Sequence, residues 1–468
     1  MAAIVTKNQR IQNAKNFIED FSGSPERNFL YLWLGKSDPW NNNIESFVDG
    51  TIDLPIDGEY QKSQIYNEMI AMKRVFEENM VHVVPTTVWT RGDEYQAWDD
   101  EYQVTEISEG GCPVVKNIYD TKFYVVTIDF NVYKCLVAGP EGSTEMPTHT
   151  SVTSIEPKMY SDGYVWHYMY TITTNDALIF YNNSFMPVHE KDTQHQDQAD
   201  IDGGIFRVIV EEGGSGYTGT TTVTIDGPGT GAIAEPVIVG GEITEINITT
   251  TVDDYLNHGS GYTSARVIIS DPGRGSGAVA RAVYSPGGGH GYNPLEELGG
   301  YNIEVAVDVE GSEEGKFITT NDYRRLGLIR NPMTSDDPPV LATDVVMNGL
   351  RSLSLTNISG IFSPDEVVEE VAAGGDGNDR AKGFIDQFTA GETEGTGTLY
   401  YHQNSKSGWD PFTAGIGISS NESNSATISA VNPPDYTPFT GEIVFMENRA
   451  PIRRTESTRE EIRLIVQF

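Results

Sequence analysis

The side chains able to do chemistry are few and scattered: 8 His, 2 Cys and 68 Asp+Glu in 468 residues. Ser215 and Ser260 each sit between glycines, as hydrolase nucleophiles do, but the full Gly-x-Ser-x-Gly elbow is absent at both places. The same serine recurring from one copy of a motif to the next argues for turn geometry. His189, His195 and Asp200 could be imagined as metal ligands in a polar stretch, yet there is no His-Glu-x-x-His and no paired Cys-x-x-Cys. We read His189–Asp200 as a solvated connection. Asp376-Gly377-Asn378-Asp379 is a faint calcium-loop pattern that lacks the downstream bidentate Glu, so a plain turn is expected. Gly287-Gly288-Gly289-His290-Gly291 has no Gly-Lys-Ser/Thr ending and is not a phosphate cradle. Arg91-Gly92-Asp93 is an adhesion tripeptide by letter only. Carboxylate pairs for glycoside cleavage are decided by their separation in space, not by sequence. The expectation is therefore no catalytic, cofactor-binding or metal-binding residue, and no cofactor.

The elements that would position any site are mostly strands. Ile11, Ala14, Phe17, Ile18 and Phe21 mark one face of a helix, ended by Ser22-Gly23-Ser24-Pro25. Phe29–Leu34 reads as a buried strand stopped at Gly35. Ile65, Met69, Met72, Phe76 and Met80 predict a second helix over Ser63–Met80, followed by a strand Val81–Val84 ended by Pro85. Beyond it, Thr-, Val- and Tyr-rich runs alternate with turn residues. Phe123–Ile128 and Tyr164–Ile172 are the strongest strands, and the pattern points to antiparallel β modules. The chain closes on two more, Ile443–Met446 and Ile462–Phe468.

Two regions repeat internally. Gly214-Ser215-Gly216-Tyr217-Thr218 returns as Gly259-Ser260-Gly261-Tyr262-Thr263. Each copy is followed by a β-branched run and a Gly-small-Gly-Ala turn, at Gly229–Ala232 and at Gly275–Ala278. A partial third copy begins at His290-Gly291-Tyr292. This is expected to form a surface β appendage of hairpins, with one Tyr per unit covering a small core. A weaker repeat links Phe362–Val368 with Phe412–Ile418.

Composition narrows the function classes. With 31 Lys+Arg the formal net charge is −37, which repels phosphate and disfavours nucleic acid and anionic membrane surfaces. Hydrophobic residues at 38% and aromatics at 10% describe a folded chain rather than an acidic tail. Cys112 and Cys135 are read as reduced thiols. No apolar run approaches ~18 residues, and Met1–Arg10 has no signal-peptide pattern. A soluble protein folded in a cytoplasm is expected.

Several motifs, taken in order, carry a resemblance. They are Ala3-Ile4-Val5-Thr6, Leu34-Gly35-Lys36-Ser37-Asp38-Pro39-Trp40, Val132-Tyr133-Lys134-Cys135-Leu136, Ile155-Glu156-Pro157 and Asp162–Tyr168. Leu328-Ile329-Arg330-Asn331-Pro332 and Gly441–Ile452 follow. Together they resemble the gene-eight baseplate wedge subunits of T-even-type contractile-tailed bacteriophages, over 1–212, 300–335 and 436–468. The resemblance implies a non-enzymatic structural protein of the virion, in the tail baseplate, assembled in the host cytoplasm. It further implies a homodimer within each wedge that packs against other wedge proteins; no nucleic acid and no membrane partner is expected from the acidic charge. Trp40 and Trp166 are expected as core anchors, and Glu447, Asn448 and Arg449 as a charge-bonded corner.

The expected fold is α+β, mostly antiparallel β, with N-terminal helices and C-terminal strands forming one body into which β-sandwich or hairpin modules are inserted. The expected division is 1–88, the helix-containing part of the body; 89–212, an antiparallel β domain; 213–300, the inserted Gly-rich tandem-repeat module; 301–344, a return to the body; 345–435, a second inserted β module; and 436–468, the C-terminal strands. The rival readings are a virion-surface glycan-binding or adhesin-like β-repeat protein and a carbohydrate-cleaving tail component.

Overall fold

The computed structural model describes residues 4–22, 28–40, 52, 54–104, 107–109, 112–150, 157–192, 195, 199–251, 255–371 and 380–468. Gly23–Pro25, Ile155-Glu156 and Asp376–Asp379 lie outside the described residues. The chain is mostly antiparallel β with a few short helices. It divides into two compact units: Met1–Asn16 with Val81–Glu304 and Ile465–Phe468, and Phe17–Met80 with Val305–Leu464.

The second unit is built on a five-stranded antiparallel sheet. Its order is Val346–Asn348, Met69–Val75, Leu30–Gly35, Asp322–Arg330, Glu442–Arg453. Leu30–Gly35 is buried along its whole length because it is central, with Trp33 opposite Met72 on one side and Gly327 on the other. Tyr31, Trp33, Ile65, Met69, Met72 and Tyr436 form the core beneath it.

The helix expected over Ser63–Met80 is corrected here. The helix is Glu59–Glu68, and the chain then runs as the strand Met69–Val75, a short 3-10 turn Glu77–Asn79 and the strand Met80–Pro85. Met69-Ile70-Ala71-Met72 is buried on both faces, so no two-residue alternation marks it as a strand. A short apolar run cannot be told from a buried helix by periodicity alone.

The same unit holds a closed six-stranded barrel over 351–432, in the order Arg351–Ser359, Gly397–His402, Lys382–Ala390, Val367–Glu370, Gly417–Ser420, Ser425–Asn432. The weak repeat explains the closure. Three consecutive strands form each half, and two of the three equivalent pairs are neighbours in the barrel wall, with Val368 opposite Ser420 and Leu353 opposite Leu399. Phe362 and Phe412, the landmarks of the repeat, both enter the barrel core.

In the first unit the strands Tyr124–Val126, Asn131–Val137, Val165–Thr171 and Lys158–Met159 form one antiparallel sheet. The Gly-rich repeats fold against it, and Leu136 and Val165 share a core with Tyr217, Ile246 and Tyr262. The two copies are intertwined. Ser215 of the first motif pairs with Ser276 of the second closing turn, and Ser260 of the second motif pairs with Thr230 of the first. The strands between, Thr222–Asp226 and Arg266–Ser270, pair with each other, Thr224 opposite Ile268.

The glycines follow from this crossing. Gly214 and Gly259 have φ of 63° and 67°, and a Cβ on either would lie 2.5 or 2.4 Å from the alanine nitrogen of the other copy's turn. Gly275 and Gly229 lie under the rings of Tyr217 and Tyr262. Each Tyr hydroxyl accepts from that alanine N–H, at 3.0 Å from Ala278 and 3.4 Å from Ala232.

Candidate functional site

Two buried polar clusters stand out, one in each unit, and each grows from a motif singled out above. In the second unit the strand Leu30–Gly35 ends where Gly35 meets the end of the helix Glu59–Glu68, at a point where a Cβ would lie 2.6 Å from the Glu68 carbonyl. Lys36 then takes a left-handed turn, φ 62°, and donates its backbone N–H to that carbonyl at 3.0 Å. Its Nζ lies 4.9 Å above the Trp40 ring, and the Arg325 guanidinium lies 5.4 Å from the same ring. Arg325 also reaches Glu68 at 3.0 Å and the Asn448 side chain at 2.8 Å, while Arg449 pairs with Glu447 at 2.8 Å. Trp40 is thus a half-buried platform between cations, and its indole donates to the Arg449 carbonyl at 3.3 Å.

Two residues on, Asp38 faces the barrel. His402 lies between its Oδ2 at 3.2 Å and Asp386 Oδ2 at 2.8 Å. Asn404 donates to Asp38 at 2.7 Å, and Asn321 to Asp386 at 2.9 Å. Burial alone would lower the histidine pKa, but the two carboxylates prevail and push it up to about 10. Burial raises the Asp38 carboxyl, but hydrogen bonding and attraction from His402 outweigh it and hold the group down at about 2. Ser37 Oγ lies 3.4 Å from Nδ1, the nitrogen already held by Asp386. A general base needs a free lone pair on the ring, and a charged histidine between two carboxylates has none. The cluster is an ion-pair lock joining the barrel to the five-stranded sheet.

In the first unit, Lys134 is fully buried on the strand Asn131–Val137. Its Nζ lies 2.7 Å from Glu297 Oε2, 2.8 Å from His290 Nδ1 and 4.1 Å from the centre of the Trp98 ring. Glu297 also accepts from the backbone N–H of Gly291 at 3.0 Å and of Asn293 at 3.1 Å. The next strand places His167 opposite Lys134. Burial lowers the Lys134 amine to about 8, against the pull of Glu297. Burial and the Lys134 charge hold His167 at about 3 and His290 well below its ordinary range. His290 enters the sequence pattern only as the start of a third repeat copy, and no local pattern marks Glu297; these are the partners of Lys134 that sequence reasoning does not find. The available signal was Lys134 itself, a charge inside the apolar run Val132–Leu136, which demands a counter-ion.

Nearby, Asp162 ties a loop together by accepting from Ser143 Oγ and from the backbone of Thr144, Glu145 and Tyr164. A cleft of about 490 Å³ opens beside it, lined by Glu94, Asp99, Glu101, Glu141, Lys116 and Arg207 among others. Asp99 is engaged by both Arg207 and Arg281, each at 2.8 Å.

The residues considered for chemistry do not converge. His189 pairs with Asp176 at 2.9 Å and His195 with Asp192 at 2.7 Å, and Asp200 lies by the His290 backbone. Among the described residues no group of three or more His, Cys, Asp or Glu could hold a metal ion. Ser215 and Ser260 are strand ends within the crossed repeats. Tyr217 and Tyr262 are buried and offer no face to a sugar. Arg91-Gly92-Asp93 is a turn held by Gly92 N–H to Ser143 O and by Ser143 N–H to Asp93 O. Cys135 is a buried free thiol, its pKa pushed up by burial. Trp166 is fully buried. No helix among the described residues is long and apolar enough to cross a membrane.

Comparison with known proteins meets this geometry at its N-terminal part. Residues 3–155 match the family model described as "Bacteriophage T4, Gp8". The chain is similar to the gene-eight baseplate wedge proteins. The baseplate wedge protein gp8 of Enterobacteria phage T4 is 25% identical over 209 residues, covering 40% of this chain. The chain spans about 60% of the length of that relative. The family match contains Lys36, Asp38, Trp40 and Lys134, whereas their partners His402, His290 and Glu297 fall outside it.

Proposed function

We propose that this chain is a structural component of a contractile phage tail baseplate wedge, acting through self-association and docking to other wedge subunits. The observation that carries the reading is the match of residues 3–155 to the gene-eight family, reinforced by similarity to a baseplate wedge protein. The geometry is consistent with it: the buried charge clusters hold β modules in place and leave no free base or nucleophile at their centres. In this reading the protein is not an enzyme and resides in the virion. The wedge body comprises 1–212, 301–344 and 436–468, and 213–300 and 345–435 are modules added to it. The charge of −37 keeps free subunits dispersed and favours neighbours with basic surfaces. Mixing the purified chain with neighbouring wedge subunits at low and moderate salt, followed by light scattering, tests the reading. A complex is expected, with a dimer of the chain alone. Absence of any complex at both salts overturns the wedge assignment.

A further inference from the structure

The environment of His290 admits only its neutral form. Lys134 Nζ has three protons, directed to Glu297, to His290 Nδ1 and to the Trp98 face. His290 Nδ1 therefore accepts, and its other nitrogen carries the ring proton. A second proton would have to go on Nδ1, putting two cations 2.8 Å apart in a site closed to water. The groups around the ring offer little compensation. Trp98 and Phe206 stand 5.1 and 5.2 Å away as aromatic walls. His167, on the strand Val165–Thr171, is 6.4 Å away, and His258 stacks behind Phe206. Lys7, from the N-terminal helix, adds a second cation near Glu296 and Glu297. Glu297, the anion paired with Lys134, already accepts from Lys134 and from two backbone N–H groups. On the chain side, Asp200 donates its backbone N–H to the His290 carbonyl.

The segment that His290 anchors leads from the end of the Gly-rich repeats, at the strand Ser276–Val283, into the helix Pro294–Leu298. Leu295 and Leu298 of that helix pack with Ile11, Ile118 and Tyr301.

We propose that His290 and Lys134 form an acid-released latch: protonating His290 expels it from Lys134 and frees the segment 285–298 from the sheet that carries Lys134 and His167. The latch lies within one unit and does not depend on the baseplate assignment. Release is reversible, because no covalent bond changes and the lost contact is restored when the proton leaves.

Hydrogen exchange of the full chain, at pH 7.5 and pH 5.0 and corrected for intrinsic rates, tests this. Protection of peptides covering 285–298 should fall at least ten-fold at pH 5.0 relative to the barrel strands, and return at pH 7.5. His290→Gln keeps an acceptor for Lys134 but cannot titrate, and it should lose clearly less protection at pH 5.0 than the wild type, with only the neighbouring His167 left to take up a proton there. Lys134→Met removes the opposing cation and should move release to lower pH. Unchanged protection in the wild type at pH 5.0 would overturn the proposal. So would equal loss in His290→Gln, or release at higher pH in Lys134→Met.

Discussion

His402→Gln removes a charge from between two buried carboxylates, and its cost should depend on pH in a way that identifies the cause. The native pKa of about 10 lies above the ~6.5 of a free histidine. A raised folded-state pKa contributes stability that is complete below ~6.5 and lost as pH climbs toward 10. Linkage gives ~3 kcal/mol at pH 7.5 and under ~1 kcal/mol at pH 10. The depressed Asp38 carboxyl reports the same attraction and is not added. Urea titrations of wild type and His402→Gln at both pH values, followed by the tyrosine signal and by exchange in the barrel strands, measure the gap. The variant should fall short by ~3 kcal/mol at pH 7.5, with most of the gap closed at pH 10. A gap of equal size at both pH values would show that the ring serves by shape alone and would refute the ion-pair account.

Other outcomes follow from close approaches and buried charge. Gly214→Ala and Gly259→Ala should each cost ~2–4 kcal/mol and by similar amounts, since each Cβ would meet the other copy's turn at 2.4–2.5 Å with positive φ; thermal melts of the two variants check this. Gly291→Ala places a methyl 2.5 Å from His167 Nε2 at φ 83° and should lower the melting temperature of the full chain by several degrees. Glu297→Gln leaves the buried Lys134 cation without its counter-ion and should cost ~3–5 kcal/mol at pH 7, with the loss reduced above pH 8 as the lysine gives up its proton. Chemical denaturation across that pH range measures it.

Local rules carried much of the fold into view. The strand at Leu30–Gly35, the strand at Met80–Pro85 and the helix over Lys7–Asp20 follow from apolar runs and periodicity. The Gly-Ser-Gly-Tyr copies were visible as repeats, but nothing local says that each closes the other. That pairing is set by strand register across the module. Met69–Val75 was misread because a strand buried on both faces carries no alternation. Lys36, Asp38 and Lys134 were reached as letters in motifs. Their roles depend on His402, His290 and Glu297, which come from far along the chain and have no composition to mark them.

The crossed repeats also constrain how such a chain can change. Recombination between the two copies, which share the run Gly-Ser-Gly-Tyr-Thr, would excise one of them in the gene. The surviving Tyr would keep its cap, since the first motif already closes on the second turn, but the surviving strand would have an open edge in place of its twin. Such a shortened gene product could close its module only by borrowing from another molecule. Length in this region is therefore expected to vary in pairs of units, and a lineage that lost one copy would be recognisable by a module exchanged between neighbouring chains.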